Sequence, residues 1–289
     1  MRLVLISFDL RAGFGVFKKP DVNEGLQLTF NILHKPALLG ILGAIAGLEG
    51  YQRRGIFPDY YKKLGDLRVG IEPLYHDKGN FVKTVVKYTN TVGYANADGN
   101  LIITEQTLRS PAYRCYLLLD LDDEVQTLLH ERILAGEADY LPYFGKNECS
   151  AWWEADAVKV YDFEPLQADT DFRVDSIFIR EYPVRNQQVK PRVSPSARKV
   201  LNAATFAYFE RLPVGFFVGE KEKEMNVETD LFAGTKAPAA KRAKPLSFVQ
   251  YDLAEFAFTD WVLQKDSLIY DLYQASPMTG GESKIVQLF

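Results

Sequence analysis

Cysteine, histidine and long apolar runs are all scarce in this chain of 289 residues. Cys115 and Cys149 are its only cysteines, and they are not closely spaced. That excludes a disulfide framework and a cysteine zinc site, and it fits a reducing compartment. The histidines are His34, His76 and His130, widely spaced, with no second histidine at helical spacing to make a dyad. General acid–base work near neutral pH therefore has few carriers. The opening run from Leu3 to Phe8 is too short for a signal peptide. The run from Leu38 to Leu48 falls short of the roughly 20 apolar residues a membrane span needs. These absences predict a soluble, cytoplasmic protein with no membrane contact. The glycine-rich stretch Ala12 to Pro20 lacks the spacing and the Lys-Ser/Thr step of a phosphate loop. Ser-His-Asp, metal and nucleotide motifs are missing as well, which leaves a small-molecule enzyme without support.

What is present is an ordinary globular composition, 47% hydrophobic and 25% charged, with enough chain for two modest domains. Aromatics reach 13%, with 16 tyrosines and 19 phenylalanines, which suits base stacking and equally a β-rich core. The net charge of −4 is unevenly spread. Residues 1–116 hold 15 Lys+Arg against 10 Asp+Glu, and residues 117–181 hold 5 against 16. Residues 182–200 hold 5 against none, and 201–289 hold 9 against 12. The basic first part leaves room for a phosphate track, while the acidic block faces a basic partner or keeps the surface soluble.

Lys35 to Leu48 reads as one buried helix entered through Pro36. Gly40, Gly43 or Ala44, and Gly47 share a face, a smooth track for a sheet, loop or ligand. Lys35 at its start either favours an anion or is merely solvated. Arg53 and Arg54 just beyond it either complement the helix dipole or contact RNA. Around it, strands are predicted at Leu3–Leu10, Leu67–Tyr75, Tyr113–Asp120 and Val158–Phe163. A helix from Asp122 to Gly136 is capped by its Asp/Glu cluster, a better reading of those acids than a metal site. Phe81–Tyr88 and Leu101–Thr104 form an extended hairpin too polar for a core of its own. The order is β-α-β-(hairpin)-β-α-β, an α+β, ferredoxin-like arrangement shared with RNA-recognition folds. Residues 166–289 read as a smaller β-rich domain with a basic loop at Arg185–Lys199 and a flexible excursion at about 220–245.

Lys35-Pro36-Ala37-Leu38-Leu39-Gly40-Ile41-Leu42-Gly43-Ala44-Ile45-Ala46-Gly47, Gln106 to Tyr113 and Tyr140-Leu141-Pro142-Tyr143-Phe144-Gly145-Lys146 together resemble the fifth CRISPR-associated protein family. That family supplies a subunit of type I Cascade complexes, and the C-terminal part looks most like its type I-B branch. The resemblance covers residues 1–165 well and the rest loosely. It implies a ferredoxin-like (RAMP) RNA-binding domain at 1–165 with a thumb at about 76–110, and a β-rich domain at 166–289. It also implies antiviral defense: the subunit grips the 5′ handle of the CRISPR RNA. Its protein contacts are the backbone subunit and the large PAM-reading subunit, with target DNA near the PAM. Carried onto this chain, the RNA-binding candidates are Phe17, Lys18, Lys19, Lys35, Arg53, Arg54, Arg109, Tyr143 and Lys146, with Lys83 and Lys87 on the thumb. Phosphate contacts would position the handle, and Phe17 or Tyr143 would stack on splayed bases. One branch of the family cleaves precursor RNA with a tyrosine and a Lys-His pair. This chain has only the reversed step His34-Lys35, so the expectation is a binder with no catalytic residue, cofactor or metal, and the alternative is a metal-independent endoribonuclease.

Overall fold

A computed structural model describes residues 2–20, 25–52, 56–90, 101–181, 206–219, 248–265 and 269–289. Arg53 and Arg54, the hairpin tip at 91–100, the basic loop at Arg185–Lys199 and the excursion at 220–245 lie outside the described residues. In chain order the elements are β1 (Leu3–Ala12), β2 (Phe14–Gly15), β3 (Phe17–Lys18), β4 (Leu26–Gln27), β5 (Thr29–Phe30), α1 (Lys35–Ile45) and α2 (Asp59–Leu64). They continue with β6 (Arg68–Leu74), β7 (Lys83–Asn90), β8 (Leu101–Arg109), β9 (Ala112–Asp120), α3 (Glu124–Ala135), β10 (Ala151–Trp152) and β11 (Lys159–Pro165). The last five are β12 (Phe178–Glu181), β13 (Ala207–Gly219), β14 (Phe248–Thr259), β15 (Leu272–Pro277) and β16 (Lys284–Gln287). The described residues are mostly strand, and no described helix is long and apolar enough to cross a membrane.

The main sheet runs β16-β15-β11-β1-β9-β6, with β10 beside the end of β1, and every pairing in it is antiparallel. Alternation along β1 sends Ile6, Phe8 and Leu10 into the larger core, with Leu38, Leu39 and Leu42 of α1 and Leu129 and Ile133 of α3. Leu5 joins a second cluster with Tyr116, Tyr161, Val286 and Leu288. Beside that cluster, Asp9, Arg114 and Glu72 form ion pairs, with Arg114 Nε 2.7 Å from Asp9.

Residues after 165 do not stand apart from this sheet. β15 pairs with β11 over Tyr161–Pro165, and β16 pairs with β15. β12, β14 and β13 form a separate three-stranded sheet. Leu212, Ala254, Phe256 and Phe258 of that sheet belong to the larger core.

The helix ends follow local chemistry. His34 caps α1 through Nδ1, which accepts the Ala37 N–H at 3.2 Å. The helix stops at Ala46, where Leu48 N–H bonds Gly43 O at 2.8 Å and Gly47 takes a left-handed φ of 71°. That pattern is a Schellman stop, so Gly47 ends the helix instead of lying inside it. Asp123 caps α3, accepting from Gln126 N–H at 2.9 Å, which gives one acid of that cluster a structural role.

The hairpin β7–β8 is braced at its base. Its second strand β8 pairs, besides β7, with β2 and β4, two short strands of the stretch read as a glycine-rich loop and long connection. Beyond that base it carries exposed Val85, Val86 and Ile102.

Candidate nucleic-acid interface

Two glycines let separate segments close on α1, and a third lets the 140–146 turn close on Val16. A Cβ at Gly43 would run into the Cβ of Tyr60, so α2 packs directly on the helix there. A Cβ at Gly47 would strike the Asp139 carboxylate, and one at Gly145, with φ of 80°, would strike the Val16 carbonyl. The turn at 140–146 is then tied down on two sides. Tyr140 N–H donates to Ala44 O at 3.0 Å, and Val16 N–H donates to Phe144 O at 3.0 Å. Arg132 holds the same helix end, donating to Ile45 O at 3.0 Å and pairing with Asp139 at 2.6 Å.

The product is an open cleft of about 670 Å³ along α1. Ala37, Gly40 and Ala44 supply a smooth lining. At Gly40 the nearest atoms to an added Cβ belong to the Tyr60 ring at 3.7 Å, so this face is not pressed by a neighbour. Tyr140, Leu141 and Tyr143 reach the cleft from the turn, Tyr51 and Tyr60 from the chain after α1, and Tyr251 from β14. Tyr51 and Tyr143 are 54% and 41% exposed, so their rings offer faces to a ligand. The Tyr51 and Tyr60 rings meet edge to face, with centroids 6.4 Å apart. Burial pushes the Tyr251 hydroxyl up to about 12 and the Tyr60 hydroxyl higher still, so both remain neutral. Such a surface can stack flat rings and donate hydrogen bonds, and the exposed Lys18 adds a cation to its lining.

The structure sorts the residues singled out in the sequence. Lys18 and Tyr143 line the cleft and are exposed. Phe17 is a correction: its ring is only 3% exposed and packs on His34, Tyr113 and Phe144, so it serves the core instead of a base. Lys35 is also corrected. Its ammonium turns to the Phe289 backbone oxygen at 3.0 Å instead of presenting itself at the helix start, and burial pulls its pKa down to about 8. Lys19 pairs with the buried Glu210 at 2.9 Å, and Lys83 donates to Asn31 Oδ1 at 2.9 Å. Lys146 is held by Glu105, with Tyr88 Oη at 3.0 Å. Lys87 is exposed on β7, and Arg109 is exposed at the hairpin base, away from this cleft.

His34 lines the cleft but is buried among Phe17, Phe30 and Tyr251. With Nδ1 accepting from the backbone, its other nitrogen carries the proton, and burial lowers its pKa to about 3. His76 accepts from Gly79 N–H through Nδ1 at 3.0 Å, and burial lowers its pKa as well. Sequence reasoning missed Tyr51, Tyr60, Tyr140 and Tyr251 as a group, although the high tyrosine count was a signal.

No protein-family model matches the chain, and no curated protein matches it. Solved structures do. One is a chain titled "CRISPR RNA-guided surveillance complex", at 16% identity and a TM-score of 0.41, covering 89% of this chain and 91% of that one. A CRISPR protein from Archaeoglobus fulgidus, also at 16% identity, has a TM-score of 0.40 over 98% of this chain and 99% of its own. A functionally uncharacterized protein from Streptococcus mutans, at 10% identity, has a TM-score of 0.29 over 89% and 92%. The likeness is distant in both sequence and superposition.

Proposed function

We propose that the chain is a non-catalytic, RNA-binding subunit of a type I CRISPR surveillance complex, of the type I-B kind, that holds the 5′ handle of the guide RNA along α1. One observation carries this reading. Two of the three sequence segments on which the family resemblance rests, Lys35–Gly47 and Tyr140–Lys146, are far apart in the chain yet line one cleft. That cleft suits single-stranded RNA because exposed tyrosines take splayed bases and Lys18 takes a phosphate. The strand order β11-β1-β9-β6, with α1 and α3 as crossovers, supports a ferredoxin-like domain, and β7–β8 is its inserted thumb. The exposed valines of that thumb suit docking on the backbone subunit, with the large PAM-reading subunit and target DNA nearby.

Binding fits better than cleavage. A general base needs a free lone pair near the 2′-OH. His34 already uses Nδ1 as a helix cap, and the cleft tyrosines are held neutral by burial. A separate ribonuclease then makes the guide. The test incubates purified protein with precursor CRISPR RNA, with and without EDTA, alongside the His34→Ala, His76→Ala double variant. The expected result is a stable complex with uncut RNA. Site-specific cleavage that the double variant loses would replace this reading with the endoribonuclease.

A further inference from the structure

A second cleft, of about 630 Å³, lies at the base of the hairpin. Its construction follows from strand register. Trp152 of β10 sits opposite Arg11 at the end of β1, and Phe14 of β2 sits opposite Arg109 of β8. Ser110 N–H donates to Gly13 O at 2.8 Å, which closes the corner between them.

Three features of this cleft suit a ligand. It offers two cations. Arg109 is exposed, and Arg11 leaves a buried Nε without an acceptor. The other contacts of Arg11 are weak, 3.3 Å to Tyr75 Oη and 3.7 Å to Asp9, an acid that Arg114 already holds. An unmet buried donor costs about 1–3 kcal/mol, so Arg11 gains by turning to an acceptor brought from outside. Its large aromatics are also exposed, Tyr75 at 76% and Trp152 at 46%. Finally, its backbone is strained. Tyr75 and Ser110, both lining residues, have φ of 55° and 47°, where glycine would be unstrained. The Tyr75 ring already carries the Arg11 guanidinium, 5.5 Å from its centroid, yet stays largely open to solvent.

We propose that this cleft binds one unpaired nucleotide, its base stacked on Trp152 or Tyr75 and its phosphate on Arg109, with Arg11 on the base edge or the same phosphate. Guanidinium and flat aromatic surfaces together match a nucleotide better than an aliphatic anion. Asp77 and Asn80 also line the cleft, so its field suits one phosphate and not a long polyanionic track. The assignment rests on the RNA-binding reading only for the origin of the nucleotide. It is either a free mononucleotide or one residue of the RNA whose remainder lies along α1.

Trp152 reports on its own site. The four nucleoside monophosphates and a single-stranded oligoribonucleotide are titrated against the folded chain, following tryptophan emission. The expected result is saturable quenching that Trp152→Phe abolishes and Arg109→Glu weakens about tenfold. Tyr75→Gly, which relieves the backbone strain, should also weaken binding about tenfold, the size of one lost stack. Quenching by a monophosphate identifies a free-nucleotide site, and quenching by the oligomer alone identifies a residue of bound RNA. Absence of quenching by either, while Tyr143→Ser still weakens oligomer binding, overturns this site and leaves the α1 cleft standing. Loss of partner assembly in Arg109→Glu with nucleotide quenching absent assigns the cleft to a protein and overturns it equally.

Discussion

Glu105 Oε2 lies 2.6 Å from the Lys146 ammonium, and this ion pair closes the hairpin onto the aromatic turn. Glu105 is only 4% exposed, and Lys146 is the cation that pairs with it. Burial alone would lower the Lys146 pKa, but the bonds to Glu105 and Tyr88 outweigh it and raise the value. Its contribution to stability is therefore complete below the usual lysine range near 10 and is lost as pH rises through the higher folded value.

Lys146→Met leaves a buried carboxylate without its cation and should lower stability by about 2 kcal/mol at pH 7, read from urea unfolding. Glu105→Gln should cost less and release the lysine beside the cleft. RNA affinity of Glu105→Gln should then rise and its salt dependence steepen by about one counterion.

His34 makes the fold acid-sensitive. Its folded pKa, about 3, lies below the ordinary value of 6.5, so the unfolded chain takes up the proton first. Stability should fall by about 1.4 kcal/mol per unit as pH drops from about 6.5 toward 3. His34→Asn keeps a helix cap and removes the proton site. Urea midpoints at pH 6.5 and pH 5 should differ less for the variant than for the wild type, the remainder coming from the burial-lowered His76 and His130.

Gly40 and Gly43 should behave oppositely. Gly40→Ala meets only ordinary contact with Tyr60 and should stabilise α1 by up to about 1 kcal/mol. Gly43→Ala drives a methyl into the Tyr60 Cβ and should cost about 1–3 kcal/mol. Thermal unfolding of the two single variants checks both signs.

The strands β1, β9 and β11, Pro36 at the start of α1 and the acidic cap of α3 were legible because each is set by neighbours in sequence. Gly47 was visible, but its role as a stop needed the Leu48 bond to Gly43. The pairing of β15 on β11 was not legible, since Ala275 and Phe163 meet across more than a hundred residues. The same holds for the cleft. Tyr51, Tyr143 and Tyr251 come from three separate segments, and no spacing joins them. Lysine charge was also plain in the sequence, but its availability was not, because the acceptors Phe289, Glu210, Asn31 and Glu105 arrive from elsewhere.

The hairpin should tolerate shortening if its base is spared. Phe81 is buried, and Glu105 and Tyr88 hold Lys146, so these must stay. Replacing residues 90–101 by Asn-Gly suits a two-residue hairpin turn and should leave the unfolding midpoint within about 1 kcal/mol of wild type. Assembly with the backbone subunit, followed by size-exclusion chromatography, should survive this shortening, because Val85, Val86 and Ile102 remain, and should be lost in Val85→Glu with Ile102→Glu.

The most direct test measures the affinity of the chain for single-stranded RNA from the 5′ end of its own guide, against the same sequence in duplex. Wild type should bind the single strand selectively, and Lys18→Glu with Tyr143→Ser should weaken it about a hundredfold through one lost phosphate contact and one lost stack. Unchanged affinity in a correctly folded double variant would contradict the account.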